Sequence, residues 1–455
     1  LKPIFEEERQ FFNKKANILL PIDCWRNGSK IYLDFTCKTP IIEFKVKNKD
    51  IIITKNNINN HKNNQKSIND LIAINKPRLE YLEKLSINKT INYIISNPNH
   101  KFVISHSGGK DSTVTYNIWI KALEKLKNIK YEKAKQIYEN LQWEINFSNT
   151  SNDTADTYKY IKKELPKDKL HILNPEIGFY QWIINVKNYF IPSVMVRNCC
   201  STYKEGQINK YYNKKECITM VLGVRKYEST KRAEFDYIMD EEFRNKLYGK
   251  SNFPKKWIKF APIVEWKDED VWLYILANEL KYNNQYNYGF NRCGCLICPY
   301  QSDYTDLLIE EHYPKLWNRW IDILKNNYSI WSIKDHLKWS FEEWCNGKWK
   351  QGTSAEYELI KLAPTLERIK RLSEIKGISE TMAKKYFNKK CICGKKLNPT
   401  ELSMNYKEYG RYENIEVEDD RQLLCKKCFC KKEEISDKEY TERAIRYREE
   451  GCNLF

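Results

Sequence analysis

The segment Phe102-Val103-Ile104-Ser105-His106-Ser107-Gly108-Gly109-Lys110-Asp111-Ser112 constrains this chain more than any other part of it. Phe102-Val103-Ile104 reads as a short buried strand, and the stretch from Ser112 towards Leu126 has helical spacing. Between them, two glycines let backbone N–H groups approach an anion with no Cβ in the way. The start of the helix adds its partial positive charge. Lys110 and the hydroxyls of Ser107 and Ser112 complete a cradle for a pyrophosphate. The spacing, and the Asp that follows the Lys, depart from the Walker loop. A Gly-Gly turn before a helix can serve the fold alone, but the six residues Ser107 to Ser112 together point to phosphate.

The surroundings of the loop predict an α/β fold. Strands are expected at Trp143–Phe147, Leu170–Leu173 and Ile218–Leu222, alternating with helical stretches of ten or more residues. That alternation implies a doubly wound parallel sheet with helices on both faces. The nucleotide-binding domain is placed at residues 98–320. Before it, residues 1–60 form a small β-rich module, with strands expected at Lys30–Phe35 and Ile51–Thr54. Residues 61–97 are a linker and helix, polar from Asn56 to Asn69 and helical from Leu71 to Ile95. After it, residues 321–389 form a helical region, with a Trp-rich helical stretch over Lys315–Lys350 and a second helical pattern over Ala355–Phe387. Residues 390–455 form a cysteine-rich module ending in a charged helix, Asp437–Glu450. No internal repeat is found.

A length of 455 residues allows two to four domains. No apolar run is long enough to span a bilayer, and the charged start, Leu1 to Gln10, does not resemble a secretory signal. A cytoplasmic protein with no membrane partner is expected. The formal net charge of +18 favours a polyanionic partner such as nucleic acid. A Lys-, Asn-, Ile- and Tyr-rich composition produces part of that charge without any such role. Fifteen cysteines in a chain with no export signal point to metal or cluster ligation rather than disulfides.

Ser107-Gly108-Gly109-Lys110-Asp111-Ser112 resembles the loop of the ATP pyrophosphatase and phosphoadenosine phosphosulfate (PAPS) reductase superfamily. Further segments follow in the family's order. Phe147-Ser148-Asn149-Thr150-Ser151 and Thr157-Tyr158 resemble its second strand and helix start. Arg197-Asn198-Cys199-Cys200 with Lys204 resembles its Arg-x-Cys-Cys element. Gly223-Val224-Arg225-Lys226-Tyr227-Glu228-Ser229 with Arg232 resembles its Gly-x-Arg-x-x-Glu-Ser signature. Ala261-Pro262-Ile263-Val264-Glu265-Trp266, Asp270-Val271-Trp272 and Arg292-Cys293-Gly294-Cys295-Leu296-Ile297-Cys298-Pro299 close the set. The resemblance implies an adenine nucleotide alpha-hydrolase-like fold that binds ATP, PAPS or adenylylsulfate. Ser107, Gly108, Gly109, Lys110, Asp111, Ser112, Arg197, Gly223, Arg225, Glu228 and Ser229 would line the nucleotide, and Lys110, Asp111, Arg225 and Arg232 would act in the chemistry. Arginines at these positions suit phosphate or sulfate oxygens held in bidentate fashion, although any one of them can equally sit in a surface ion pair. Asp111 can help position Mg²⁺.

Cys199-Cys200 and Cys295-Leu296-Ile297-Cys298 resemble the ligand set of [4Fe–4S] adenylylsulfate reductases, with Cys293 a spare thiol nearby; Zn²⁺ on the same four cysteines is the alternative. Leu372-Ser373-Glu374-Ile375-Lys376-Gly377-Ile378-Ser379-Glu380, continuing to Lys384, Lys385 and Phe387, resembles a helix-hairpin-helix that meets nucleic-acid phosphates, or else an ordinary helical hairpin. Cys391-Ile392-Cys393 and Cys425-Lys426-Lys427-Cys428 look like the two knuckles of a zinc ribbon, with Cys430 as a rival ligand. Relatives of this type install sulfur on tRNA or DNA using ATP, with a donor such as a cysteine desulfurase, or else reduce PAPS or adenylylsulfate to sulfite. The reductases need a nucleophilic tail cysteine, in a segment resembling Glu-Cys-Gly-Leu-His. Here the tail reads Glu450-Gly451-Cys452-Asn453. The tail departs from that pattern, and the basic charge, the helix-hairpin-helix resemblance and the zinc ribbon favour sulfur transfer to a nucleic acid; a non-catalytic nucleotide-binding subunit is the third reading.

Overall fold

The computed structural model describes residues 1–60, 65–194, 198–248, 254–330, 339–351, 391–395 and 423–449, with isolated positions between 333 and 408. The hairpin-like segment (apart from Ser373, Ser379 and Glu380), Arg197 and Cys452 lie outside the described residues. The chain divides into two compact units. The first contains residues 1–176, 202–296 and 302–314, and the second contains 177–201, 297–301 and 315–455.

Two sheets build the first unit. Strands β1 (Lys2–Pro3), β2 (Trp25–Asn27), β3 (Lys30–Tyr32), β4 (Ile42–Lys47) and β5 (Asp50–Asn56) pair antiparallel in sequence order. The strand expected to reach Phe35 stops at Tyr32, where the chain turns and Asp34 accepts hydrogen bonds from Thr36 N at 2.7 Å and Thr36 Oγ1 at 2.6 Å. Such a carboxylate turn competes with strand pairing. The second sheet holds β6 (Lys101–Ser105), β7 (Trp143–Ser148), β8 (Leu170–Leu173), β9 (Ile218–Leu222), β10 (Ile238–Met239) and β11 (Trp257–Phe260), in the order β10-β11-β9-β6-β7-β8. All neighbours run parallel except the edge strand β10. The strands β6 and β9 are apolar and almost entirely buried, because helices cover both faces of a parallel sheet.

Helix α1 (Glu6–Ala16) and helix α2 (Ile68–Ser96) tie the small sheet to the large one. A capping box between Ser67 and Asp70 starts α2, with Asp70 N donating to Ser67 Oγ at 3.1 Å. Its buried Leu71, Leu79 and Leu82 join Trp25 of β2, Val114 and Ile118, and Trp266 and Trp272 in one core. Helix α3 (Lys110–Lys127) packs beside it, followed by α4 (Glu132–Glu139) and α5 (Ala155–Glu164). A buried ion network also joins the N-terminal sheet to the domain. Glu8 pairs with Lys2, accepts from Arg26 Nε at 2.6 Å, and takes the Tyr304 hydroxyl at 3.2 Å. Arg26 Nη2 donates to the Gly289 carbonyl at 2.5 Å. Burial alone would raise the Glu8 carboxyl, but Arg26 and Lys2 beside it bring it below the usual range.

In the second unit, helix Pro314–Ile330 buries Trp317, Trp320, Ile323 and Leu324. Trp320 meets Trp349 edge to face at 5.0 Å, and Trp344 Nε1 donates to Asn327 Oδ1 at 3.0 Å. The tryptophan-rich stretch therefore forms a core. Near the end of the chain, helices Lys426–Lys432 and Asp437–Glu449 pack through Phe429, Tyr440 and Ala444. No helix of the described residues is long and apolar enough to cross a membrane.

Candidate functional site

Strand order reverses between β6 and β9, since the chain moves from β6 to β7 on one side and returns to β9 on the other. Open α/β sheets receive ligands beyond the carboxyl ends of strands at such a point. Ser105 of β6 is in register with Leu222 of β9, so the two strands end side by side. The loop Ser107–Ser112 leaves one of them and Gly223–Ser229 leaves the other, which brings both predicted motifs to the same edge.

Two glycines have a steric reason. Gly108 has φ +77°, and a Cβ there would stand 2.9 Å from Thr157 Cγ2. A Cβ on Gly223 would stand 2.7 Å from the Asp111 carbonyl carbon and 2.8 Å from Ser112 N. The end of β9 is thus pressed against the first turn of α3. Gly223→Ala is expected to push that turn outward, costing about 1–3 kcal/mol as overpacking does; an unchanged thermal midpoint would refute the close approach.

The predicted basic residues are held by carboxylates. Lys110 Nζ lies 2.8 Å from Asp111 Oδ2 and 3.0 Å from Asp268 Oδ1. Arg225 Nε meets Asp111 Oδ1 at 2.7 Å, and its Nη2 meets Asp268 Oδ1 at 2.7 Å. Arg225 is 2% exposed. Burial would lower its basicity, but Asp111 and Asp268 raise it, so it stays charged. Burial would likewise raise the Asp268 carboxyl, yet Lys110, the Leu1 amino group 2.9 Å away and Arg225 hold it far below the usual carboxylate range. Glu228 Oε1 accepts from Arg225 N at 3.1 Å, and Glu228 also pairs with Arg232. Ser229 is exposed at the start of the turn that holds Arg232.

Several residues at the site escaped the sequence reading. Asp268 opens the helix Asp268–Ala277, whose first turn carries three acids. Asp270, two residues on, instead takes Arg78 in bidentate fashion at 2.7 and 2.8 Å. His106 is buried, and its Nδ1 accepts from Gly108 N at 3.1 Å. Tyr286 Oη accepts from Lys110 N at 2.8 Å, with the Cys293 thiol as its other hydrogen-bonding neighbour. Behind the loop, Asn283 Nδ2 donates to Thr157 Oγ1 at 3.0 Å, which in turn reaches Gln285 Oε1 at 3.1 Å. A stretch reading Asn283-Asn284-Gln285-Tyr286, in a chain rich in Asn and Tyr, carries no visible signal of this role.

The family model described as the phosphoadenosine phosphosulfate reductase domain matches residues 101–301, from the first residue of β6 to just beyond Cys298. The chain carries a phosphoadenosine phosphosulfate reductase domain. An uncharacterized protein of Methanocaldococcus jannaschii is 31% identical over 267 residues, covering 57% of this chain and 56% of that protein. The adenosine 5'-phosphosulfate reductase of Oceanobacillus iheyensis is 34% identical over 156 residues, covering 34% of this chain and 59% of that enzyme. The chain therefore spans little more than half the length of either relative. The crystal structure of phosphoadenylyl-sulfate (PAPS) reductase from Candida auris matches 48% of this chain and 93% of its own, at 18% identity and a TM-score of 0.31.

The cysteines of the PAPS reductase domain fall on both sides of the division between units. Cys293 and Cys295 belong to the first unit, while Cys199, Cys200 and Cys298 belong to the second. Cys295 Sγ lies 3.7 Å from Thr150 Oγ1, and Leu296 N donates to Asn152 O. Cys199 and Cys200 close the short helical turn Asn198–Cys200. Thiols of this kind are the donors that iron–sulfur clusters use.

In the second unit, the ligand atoms of Cys391, Cys393, Cys425 and Cys428 all lie within 4.8 Å of one another. Four sulfurs about 2.3 Å from a zinc ion form a tetrahedron with edges of about 3.8 Å. Cys393 and Cys425 stand 3.8 Å apart, so this donor set fits a tetrahedral metal. The short Cys-x-Cys knuckle is accommodated by a turn in which Gly394 adopts φ +85° and donates to Cys391 O at 2.7 Å. Cys430 is not part of this group, since its thiol points to the Ser436 carbonyl at 3.9 Å.

Proposed function

We propose that the protein uses ATP and Mg²⁺ to activate a nucleic acid, DNA or tRNA, for sulfur insertion. One observation carries the choice of ATP. The two buried cations Lys110 and Arg225 are each paired with the carboxylates Asp111 and Asp268, so their positive charge is already engaged when a polyphosphate arrives. A Mg²⁺ ion accompanying ATP supplies that charge, and carboxylate oxygens are its usual protein ligands. An acceptor oxygen attacks the α-phosphorus, the bond to the β-phosphate oxygen breaks, and pyrophosphate leaves. The terminal persulfide sulfur of a donor such as a cysteine desulfurase then attacks the activated centre and displaces AMP, which carries off the acceptor oxygen, and a dithiol reductant cleaves the resulting S–S bond to leave one sulfur on the nucleic acid. Lys110 and Arg225 stabilise the charge that moves to the phosphate oxygens, and Arg232 is the next cation outward. The net charge of +18 suits a polyanionic acceptor.

Cys199, Cys200, Cys295 and Cys298 would hold a [4Fe–4S] cluster, with Arg197 beside them in sequence, and Cys391, Cys393, Cys425 and Cys428 would hold a structural Zn²⁺. The cluster's iron, when bound, supplies a site able to carry sulfur. A cytoplasmic location belongs to the same reading.

A second reading is reduction of PAPS or adenylylsulfate to sulfite. It is favoured by the 34% identity to the adenosine 5'-phosphosulfate reductase of Oceanobacillus iheyensis. Anaerobically purified protein is to be assayed with ATP, Mg²⁺, a sulfur donor and tRNA or duplex DNA. Pyrophosphate release and thio-modified nucleosides, detected by mass spectrometry, are expected. Sulfite formed from adenylylsulfate with a dithiol reductant, without ATP cleavage, would replace this reading by the second. Protein isolated without iron would remove the cluster from either.

A further inference from the structure

The phosphate loop has a limited set of backbone donors, and two side chains outside its motif occupy some of them. Gly108 N donates to His106 Nδ1 at 3.1 Å, and Lys110 N donates to Tyr286 Oη at 2.8 Å. Ser107 N points to Ser112 Oγ at 3.3 Å, and Thr113 N enters the helix ladder through Gly109 O at 3.0 Å. The amides of Gly109, Asp111 and Ser112 make no hydrogen bond to any described residue. A phosphate at the start of α3 would meet those three amides.

We propose that His106 and Tyr286 are positioning residues that select which amides of the phosphate loop face the ligand. Their placement fits this role. His106 is 2% exposed and Tyr286 is 1% exposed, so neither reaches the ligand itself. Burial lowers the His106 imidazole to about 3, which keeps it neutral and able to accept at Nδ1. Its Nε2 then carries the hydrogen, and that atom has no partner among the described residues. The polar contacts of the ring are therefore those of Nδ1, with Gly108 N at 3.1 Å and Ser112 Oγ at 3.5 Å. Tyr286 is locked by edge contact with Trp272 at 4.9 Å and by the Asn283–Gln285 turn. A Cβ on Gly109 would lie 3.3 Å from Tyr286 Oη, so the phenol also fits closely against the glycine turn. By drawing the amides of residues 108 and 110 inward, the two side chains turn those of 109 and 111 outward.

This inference rests on the loop being a phosphate site, and its test separates the two claims. Amide hydrogen exchange is to be measured in the full chain for wild type, Tyr286→Phe, His106→Leu and His106→Asn. Tyr286→Phe should speed exchange of the Lys110 amide about tenfold, the effect of losing one hydrogen bond, while leaving the Thr113 amide unchanged. His106→Leu should do the same to the Gly108 amide, and His106→Asn, which keeps an acceptor near the Nδ1 position, should restore it. Affinity for inorganic pyrophosphate and for ATP should fall about tenfold in both acceptor-less variants and recover in His106→Asn. Equal acceleration at Thr113 would reveal general loosening and overturn the proposal. So would altered amide rates with unaltered affinity. Wild-type protein that binds neither pyrophosphate nor ATP would sink the nucleotide reading instead, leaving the amide rates to decide whether the two side chains set the loop.

Discussion

Arg225→Ala is expected to remove measurable nucleotide binding and to destabilise the PAPS reductase domain by about 3–5 kcal/mol, the cost of breaking a buried ion pair from one side. The guanidinium is 2% exposed and bridges Asp111 and Asp268, with Nη1 also donating to the Trp266 carbonyl at 3.3 Å. Its loss leaves the two carboxylates to share Lys110 and the amino group of Leu1, which lies 2.9 Å from Asp268 Oδ2. The pH dependence gives the sign. A carboxyl held below its unfolded value of about 3.9 adds stability above that value and loses it as pH falls through the folded one. Asp268 is such a group, held low by Lys110, the Leu1 amino group and Arg225 against its own burial. Without Arg225 its folded value moves up, so the variant should unfold in acid at a higher pH than the wild type. Arg225→Lys keeps the charge but not the fork that spans both carboxylates, and should fall between the two. Equilibrium dialysis with labelled ATP and acid titration followed by circular dichroism check both parts. Wild-type acid stability in Arg225→Ala would show that the bridge does not hold the site.

The contrast between Arg225 and its carboxylate partner shows what the sequence made legible. The strands β6 and β9 could be read almost to the residue, because a strand buried on both faces is written as a nearly continuous apolar run. The strand β11 was not read, since Trp257-Ile258-Lys259-Phe260 is short and carries a lysine. Edge strand β10 has only two residues, too few for any period. At the site, glycine and arginine were legible because their chemistry is tied to a local spacing. Asp268 was not. Three acids in the first turn of a helix are the ordinary signature of a favourable dipole, and only the fold decides which of them turns inward. His106 and Tyr286 act on backbone amides, and no residue pattern records that. The structure also changes the sense of the basic residues. Lys110 and Arg225 do meet at the predicted edge, but there they meet carboxylates.

Removing the metal expected at Cys391, Cys393, Cys425 and Cys428 should unfold the end of the second unit while leaving the PAPS reductase domain intact. The apolar material around the thiols is small. Leu397 and Leu423 pack with Cys391 and Cys425, and a second cluster joins Met404, Leu424, Phe429, Tyr440 and Ala444. A core of that size contributes little against the entropy of ordering the chain. Four thiols within 4.8 Å also oppose one another once ionised. Hydrogen bonding with Cys391, and then with Cys425, pushes the Cys428 thiol up to about 12, so the group resists deprotonation until a cation compensates. Structural zinc sites contribute about 10–16 kcal/mol at neutral pH, far more than either cluster can supply. Cys425→Ser should therefore lose the metal and expose residues 391–449 to limited proteolysis. A chelator should do the same to the wild type. Cys430→Ser is the control, because that thiol faces the Ser436 carbonyl and not the other four; it should keep the metal and the protease resistance. Metal content by mass spectrometry and proteolytic mapping separate these cases. Retained resistance in metal-free protein would show that the two helices hold the module by packing alone.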